Sequence, residues 1–121
     1  MAFPTIQFKA TNTILEGALQ DLVVHKFGSL ERYIGTATDL KCEVEFEKIG
    51  LHQNGMIHRV EANFYRDGQL FRAEATEDSF EKAIDKVRSE LDAAMNSAFK
   101  KRETLVKRGG RAIKDMLRFG K

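Results

Sequence analysis

Alternating apolar and polar residues predict that several segments of the chain are β-strands. In the clearest, residues 40–49, Cys42, Val44 and Phe46 fall on one face and charged residues fall on the other. Residues 6–11 alternate in the same way. The pattern is typical of a sheet with one buried face and one wet, acidic face.

The Asp67-Gly68 dipeptide predicts a tight hairpin, because it favours a two-residue turn between antiparallel strands. One strand would run from about residue 56 to Arg66, and the next would begin at Gln69. Such a turn pairs apolar residues with apolar residues on one face, so turn and pattern agree. The predicted partners are Arg66 with Gln69, Phe64 with Phe71, Ala62 with Ala73, and Val60 with Ala75.

A first helix is predicted over about residues 15–34, where apolar residues recur every three or four positions. Thr13 and Glu16 are spaced as a capping box at its start, and Gly35 is suited to its end. Gly28 inside the helix costs about 1 kcal/mol relative to alanine. We therefore expect another part of the structure to approach closely at Gly28.

A second helix is predicted from the capping box of Asp78 and Glu81 to about residue 102. The order is then β-α-β-β-β-α. These elements predict an α+β fold, a two-layer sandwich with a four-stranded sheet and two helices on one face. We expect residues 1–102 to form this domain and residues 103–121 to form a basic C-terminal tail.

Positive charge is concentrated at the C-terminal end of the chain. From Lys100 onward there are nine basic and two acidic residues, a net charge of +7, whereas the first 99 residues hold 11 basic and 16 acidic ones, a net charge of −5. Such a segment favours a polyanionic partner such as nucleic acid. It is equally compatible with a solvated tail that keeps the protein soluble. Residues 111–119 have the spacing of a short basic amphipathic helix, which we expect to order only on a partner.

Composition argues against several other functions. The single cysteine, Cys42, excludes an intramolecular disulfide and falls on the predicted buried face as an inert thiol. Without an apolar N-terminal stretch or a window long enough to span a bilayer, we expect a cytoplasmic protein with no membrane partner. His25, His52 and His58 are scattered and are interpreted as surface residues, and the glutamates on the strands form no buried pair. We therefore expect a binding protein, with no enzymatic activity, cofactor, metal or small-molecule substrate.

The candidate binding residues are basic side chains on the two helices and in the tail. Several cations that contact phosphates release counterions, so binding would weaken steeply with salt. Any single helix cation is also well explained as an ordinary solvated residue. Tyr33 and Phe99 are possible stacking groups for bases, although packing in the core explains both. The candidates are Lys26 and Arg32 on the first helix, Lys82, Lys86 and Arg88 on the second, and Lys100, Lys101, Arg102, Lys107, Arg108, Arg111, Lys114 and Arg118 beyond it.

Two sequence stretches carry a resemblance to a known family: ALQDLVVHKFGSLERYI at residues 18–34 and SFEKAIDKVRSEL at residues 79–91. Within them, K-F-x-x-L-E-R-Y at 26–33 and A-I-D at 83–85 are the most specific pieces. With the element order and the Asp-Gly hairpin, these stretches resemble the ribosome hibernation-promoting factors, which include the ribosome-associated inhibitor and the sigma-54 modulation proteins. The resemblance covers residues 5–102 and is to the short form of the family.

The resemblance implies a protein that sits on the small ribosomal subunit, in the groove for messenger and transfer RNA, and inhibits translation under stress. It implies ribosomal RNA contacts through basic residues on the helices, with Lys26 and Arg32 at basic or polar family positions. We expect a monomer away from the ribosome. This chain has Ser29, Glu90, Ala93 and Ser97 where the family commonly carries basic residues. We hypothesise that the basic tail compensates for this loss.

Two other classes of function remain open. A double-stranded RNA-binding module also packs two helices on one face of a sheet and would bind duplex RNA without ribosomes. Alternatively, the tail would dock on a membrane surface or on another protein.

Overall fold

The element order β-α-β-β-β-α is confirmed in the computed structural model, which describes residues 3–50 and 55–107 and the side chains up to Lys100. A 3-10 helix continues the first α-helix. The elements are β1 (Ile6–Thr11), α1 (Gly17–Phe27), the 3-10 helix (Gly28–Tyr33), β2 (Leu40–Lys48), β3 (His58–Arg66), β4 (Gln69–Glu77) and α2 (Phe80–Lys107).

The four strands form one mixed sheet in the order β1-β2-β3-β4. β1 is parallel to β2, and the other two pairs are antiparallel. Along β2, β3 and β4 every second side chain is buried, and these side chains share one face of the sheet. The helices cover that face and leave the other open, so the predicted α+β sandwich is confirmed.

The predicted hairpin register is confirmed at every pair, from Arg66 with Gln69 to Val60 with Ala75. Both turn residues have positive φ, +48° at Asp67 and +85° at Gly68, as a two-residue turn of this type requires. The Asp67 carboxylate also accepts the N–H groups of Thr38 at 3.1 Å and Asp39 at 2.8 Å. The turn is thereby fastened to the segment before β2.

The core lies between the sheet and the helices. Phe27 of α1, Phe46 of β2 and Phe64 of β3 are wholly buried, and each such side chain contributes about 1.5–3 kcal/mol of transfer free energy. Phe3 stacks on Phe64 with ring centroids 5.3 Å apart and meets Phe27 edge-on. The segment before β1 therefore closes one side of the core.

The first helical segment differs from its prediction in two ways. The capping box is wrong, since Glu16 precedes α1 in an extended conformation and its side chain makes no cap hydrogen bond. The close approach at Gly28 is also wrong, because a Cβ added there would meet nothing within 4 Å. Gly28 instead lies where the α-helix tightens into the 3-10 helix. Gly35, with φ of +56°, follows that helix as predicted.

Helix α2 starts one residue later and ends later than predicted. Its cap is the hydroxyl of Ser79, which accepts the Lys82 N–H at 3.2 Å, so the predicted box of Asp78 and Glu81 is wrong. The helix continues to Lys107, five residues past the predicted end at residue 102. The basic segment thus begins as a continuation of α2. The short helix predicted over residues 111–119 lies outside the described residues.

Candidate nucleic-acid interface

The predicted binding cations lie on the helical layer and along the C-terminal end of α2. Lys26 lies on α1 and Arg32 on the 3-10 helix that follows it. Helix α2 carries Lys82, Lys86, Arg88 and Lys100, and its backbone continues through Lys101, Arg102 and Lys107. Arg108, Arg111, Lys114 and Arg118 lie outside the described residues.

Lys26 connects the two helices through an ion pair. Its Nζ lies 2.8 Å from Oδ1 of Asp85 on α2. The two side chains are 35% and 55% exposed, so the pair contributes about 0–1 kcal/mol to stability. The charge of Lys26 is therefore partly neutralised by Asp85, but its side chain remains accessible to a phosphate group.

Arg32 is held by a carboxylate of α2 and remains largely exposed. Its Nη2 donates to Oδ1 of Asp92 on α2 at 2.7 Å, and the Tyr33 hydroxyl donates to the same oxygen at 3.0 Å. The guanidinium carbon lies 4.9 Å from the centroid of the Tyr33 ring. The hydrogen bond to Asp92 raises the pKa of Arg32, which stays charged. With 64% of its side chain exposed, Arg32 is oriented by the protein and still accessible.

The two aromatic residues considered for base stacking have different environments. Tyr33 is 4% exposed and belongs to the core. Phe99 is 43% exposed and meets the Tyr33 ring edge-on, with centroids 6.0 Å apart. Beside them is a small notch of about 40 Å³ whose lining includes Met95 and Phe71. Phe99 thus retains an accessible aromatic surface, whereas Tyr33 supports it from below.

The cations in the first turns of α2 are paired with acids at the sheet end. Lys82 lies 3.1 Å from Asp78, and Lys86 lies 3.8 Å from Glu77 of β4. Both lysines are more than half exposed, so these are weak surface pairs. Arg88 and Lys100, in contrast, make no ion pair within the described part of the chain.

Among the helical elements, net positive charge appears only at the C-terminal end of α2. From α1 to Phe99 the helical elements hold five basic and six acidic residues, a net charge of −1. Lys100 to Lys107 holds four basic residues and one acid, a net charge of +3. Cations at this position also complement the negative end of the helix dipole. The strongest attraction for a polyanion is therefore expected at the C-terminal end of α2.

The open face of the sheet carries a network of ion pairs around Arg59. Three acids surround Arg59: Glu47 at 2.9 Å, Glu74 at 3.1 Å, and Glu61, which is in direct contact. Partial burial opposes the ionisation of Glu61, but the hydrogen bond and charge of Arg59 outweigh it and lower the pKa of that carboxyl. The open-face positions of the four strands hold four basic and five acidic residues, a net charge of −1, so this face is no more acidic than the helical layer.

The described residues offer little for catalysis. Among them, no three His, Cys, Asp or Glu side chains are grouped as metal ligands. Burial raises the pKa of the Cys42 thiol to about 12, which keeps it protonated. His58 differs from the surface residue expected: its ring packs edge-on against Phe80, and its Nδ1 is buried without a partner in the described structure.

Sequence reasoning located the cations but missed the carboxylates that hold them. Asp78 and Lys82 are four residues apart across the start of α2, so their spacing alone could have predicted this ion pair. Asp85 and Asp92 reach cations about 60 residues away in the chain. Only the packing of α1 against α2 brings them together.

Comparison with known proteins agrees with this fold. Residues 6–108 match the family model described as "Sigma 54 modulation protein / S30EA ribosomal protein". No curated protein matches the chain. No described helix has both the length and the apolar character needed to cross a membrane.

Two solved structures resemble the chain at low sequence identity and so support the fold. The N-terminal domain of Protein Y from Thermus thermophilus is 23% identical, with a TM-score of 0.63, over 78% of this chain and 96% of that one. A ribosomal subunit interface protein from Coxiella burnetii is 18% identical, with a TM-score of 0.62, over 78% and 97%. Because the family model spans most of the sequence, the chain belongs to the sigma 54 modulation protein and S30EA ribosomal protein family of ribosome-associated factors.

Proposed function

We propose that this protein binds the small ribosomal subunit in the groove for messenger and transfer RNA and thereby inhibits translation. Binding is through ribosomal RNA, with the helical layer and the basic end of α2 as the contacting surface. With this role the protein acts in the cytoplasm. It acts in response to stress or starvation.

The family match over residues 6–108 is the observation that carries this proposal. It covers every strand and helix of the fold. The charge distribution supports an RNA partner, since the only strongly positive described segment is the end of α2, from Lys100 to Lys107. Because this basic end continues α2, the charge distribution supports an orientation with the helical layer toward RNA.

The same distribution supports the compensation hypothesis. The described helical surface up to Phe99 has no excess of positive charge, and four of its five predicted cations are already paired with acids. We infer that Lys100, Lys101 and Arg102 and the basic residues after them supply most of the salt-dependent affinity. The helix cations then exchange their carboxylate partners for phosphates.

The test compares two full-length variants that each lose three positive charges. One changes Lys100, Lys101 and Arg102 to Gln, and the other changes Lys9, Lys41 and Arg72 to Gln on the open face of the sheet. We expect the α2 variant to bind small subunits more weakly and to lose about 2 units from the slope of log affinity against log salt. The sheet variant controls for net charge and should keep the wild-type slope.

Equal binding by the two variants would contradict the compensation hypothesis. The function is supported if the wild-type protein inhibits a purified translation system only under conditions in which it also binds small subunits. Binding to duplex RNA of equal strength without ribosomes would instead favour the double-stranded RNA-binding alternative.

A further inference from the structure

Arg32, Tyr33 and Phe99 form a cluster in which the ring of Phe99 is exposed, and salt-dependent contacts do not explain this exposed ring. Of the large hydrophobic side chains exposed in the described residues, Phe99 is the aromatic one, at 43% exposure. It lies at the edge of the helical surface, next to Lys100. An exposed aromatic ring near a cation is a typical stacking surface for a nucleic-acid base.

The ring of Phe99 is supported by a fixed part of the core. Tyr33 is buried beneath it, and the Tyr33 hydroxyl is anchored on Asp92 at 3.0 Å. A base that stacks on Phe99 therefore meets a ring that is already held on one side. Less conformational entropy is lost on binding than with a freely rotating side chain.

A phosphate site adjoins this ring. The guanidinium carbon of Arg32 lies 4.9 Å from the centroid of the Tyr33 ring, and the centroid of the Phe99 ring lies 6.0 Å from the same point. The guanidinium carbon and the Phe99 ring are therefore at most 10.9 Å apart. The hydrogen bond to Asp92 uses Nη2 of Arg32, and the guanidinium, in a side chain that is 64% exposed, retains further donors for a phosphate. Lys100 follows Phe99 in α2 and makes no ion pair in the described structure, but consecutive helical residues do not share a face, so the phosphate contact is assigned to Arg32 alone.

We propose that Arg32 and Phe99 together hold one unpaired nucleotide of the RNA, with a phosphate at Arg32 and the base stacked on Phe99. Asp92 acts as a positioning residue, since it fixes both the guanidinium and the supporting tyrosine. The ligand must be single-stranded at this point, because a base inside a duplex has no free face. This inference rests on the proposed function and specifies the kind of RNA that the site binds.

The test measures the affinity of full-length variants for small ribosomal subunits over a salt series. Phe99→Leu should weaken binding about tenfold without changing the salt slope, because stacking involves no ions. Arg32→Gln should weaken binding and also lower the slope by about 0.7, as expected for one lost phosphate contact on a single strand. The matched control is Leu70→Ala, since Leu70 is 48% exposed but lies on the open face of the sheet, and it should bind like wild type.

A second measurement separates stacking from a structural effect. Probing the bound subunit with dimethyl sulfate should reveal an unpaired base that the wild type protects and Phe99→Leu leaves reactive, with the rest of the footprint retained. Wild-type affinity and protection in Phe99→Leu would overturn the inference. If the wild-type protein itself fails to bind subunits, the proposed function fails, which is a separate outcome.

Discussion

Arg59 lies at the centre of the ion-pair network on the open face of the sheet. Glu45, Glu61 and Glu74 are direct neighbours across three strands, an arrangement that normally destabilises a sheet. Arg59 lies within reach of Glu61 and Glu74, and the hydroxyl of Thr11 donates to Glu45 at 2.6 Å. The like charges are thereby separated by donors and a cation.

We predict that Glu61→Gln lowers the free energy of unfolding by about 1–2 kcal/mol at neutral pH, since it removes a charged partner of Arg59. The folded-state pKa of Glu61 lies below its ordinary value of 4.5, so ionisation stabilises the fold above that value. This contribution disappears as the pH falls through the folded-state pKa, and the difference from wild type should shrink. Urea unfolding at pH 7 and pH 3 measures both effects.

Glu74→Gln is the matched control for this prediction. Glu74 also contacts Arg59 but is 53% exposed, so its substitution should change stability by less than about 0.5 kcal/mol. A pH-independent difference between Glu61→Gln and wild type would contradict the ion-pair explanation.

At the scale of elements, the sequence predicted the strands better than the helix ends. Alternation and the Asp67-Gly68 turn determine the hairpin register because a shift by one residue would expose its apolar face. The position of a helix cap depends on which of several neighbouring polar side chains accepts a hydrogen bond from the backbone. At the start of α2 that side chain is Ser79. The partners of Lys26 and Arg32 were unpredictable, since they come from another helix.

Two glycines test this account of the elements. Gly68→Ala places a side chain at φ of +85° and should lower the free energy of unfolding by about 1 kcal/mol. Gly28→Ala introduces a Cβ into open space at a helical φ of −56°, so it should stabilise the protein by about 0.4–1 kcal/mol. Thermal unfolding of both variants provides the measurement. Destabilisation by Gly28→Ala would indicate a close approach that the structure lacks.

The excess of positive charge in this molecule lies at one end. The open face of the sheet and the helical layer each have a net charge of −1, whereas α2 continues into a basic segment. This division favours one orientation on a polyanion, with α2 and the 3-10 helix toward it. The overall charge of +2 conceals this asymmetry.

The most direct measurement compares binding of the wild-type protein to vacant small subunits and to subunits already loaded with messenger and transfer RNA. We predict salt-sensitive binding to vacant subunits and loss of that binding when the groove is filled. Equal binding to both kinds of subunit, or no binding to vacant subunits at low salt, would contradict the proposed site.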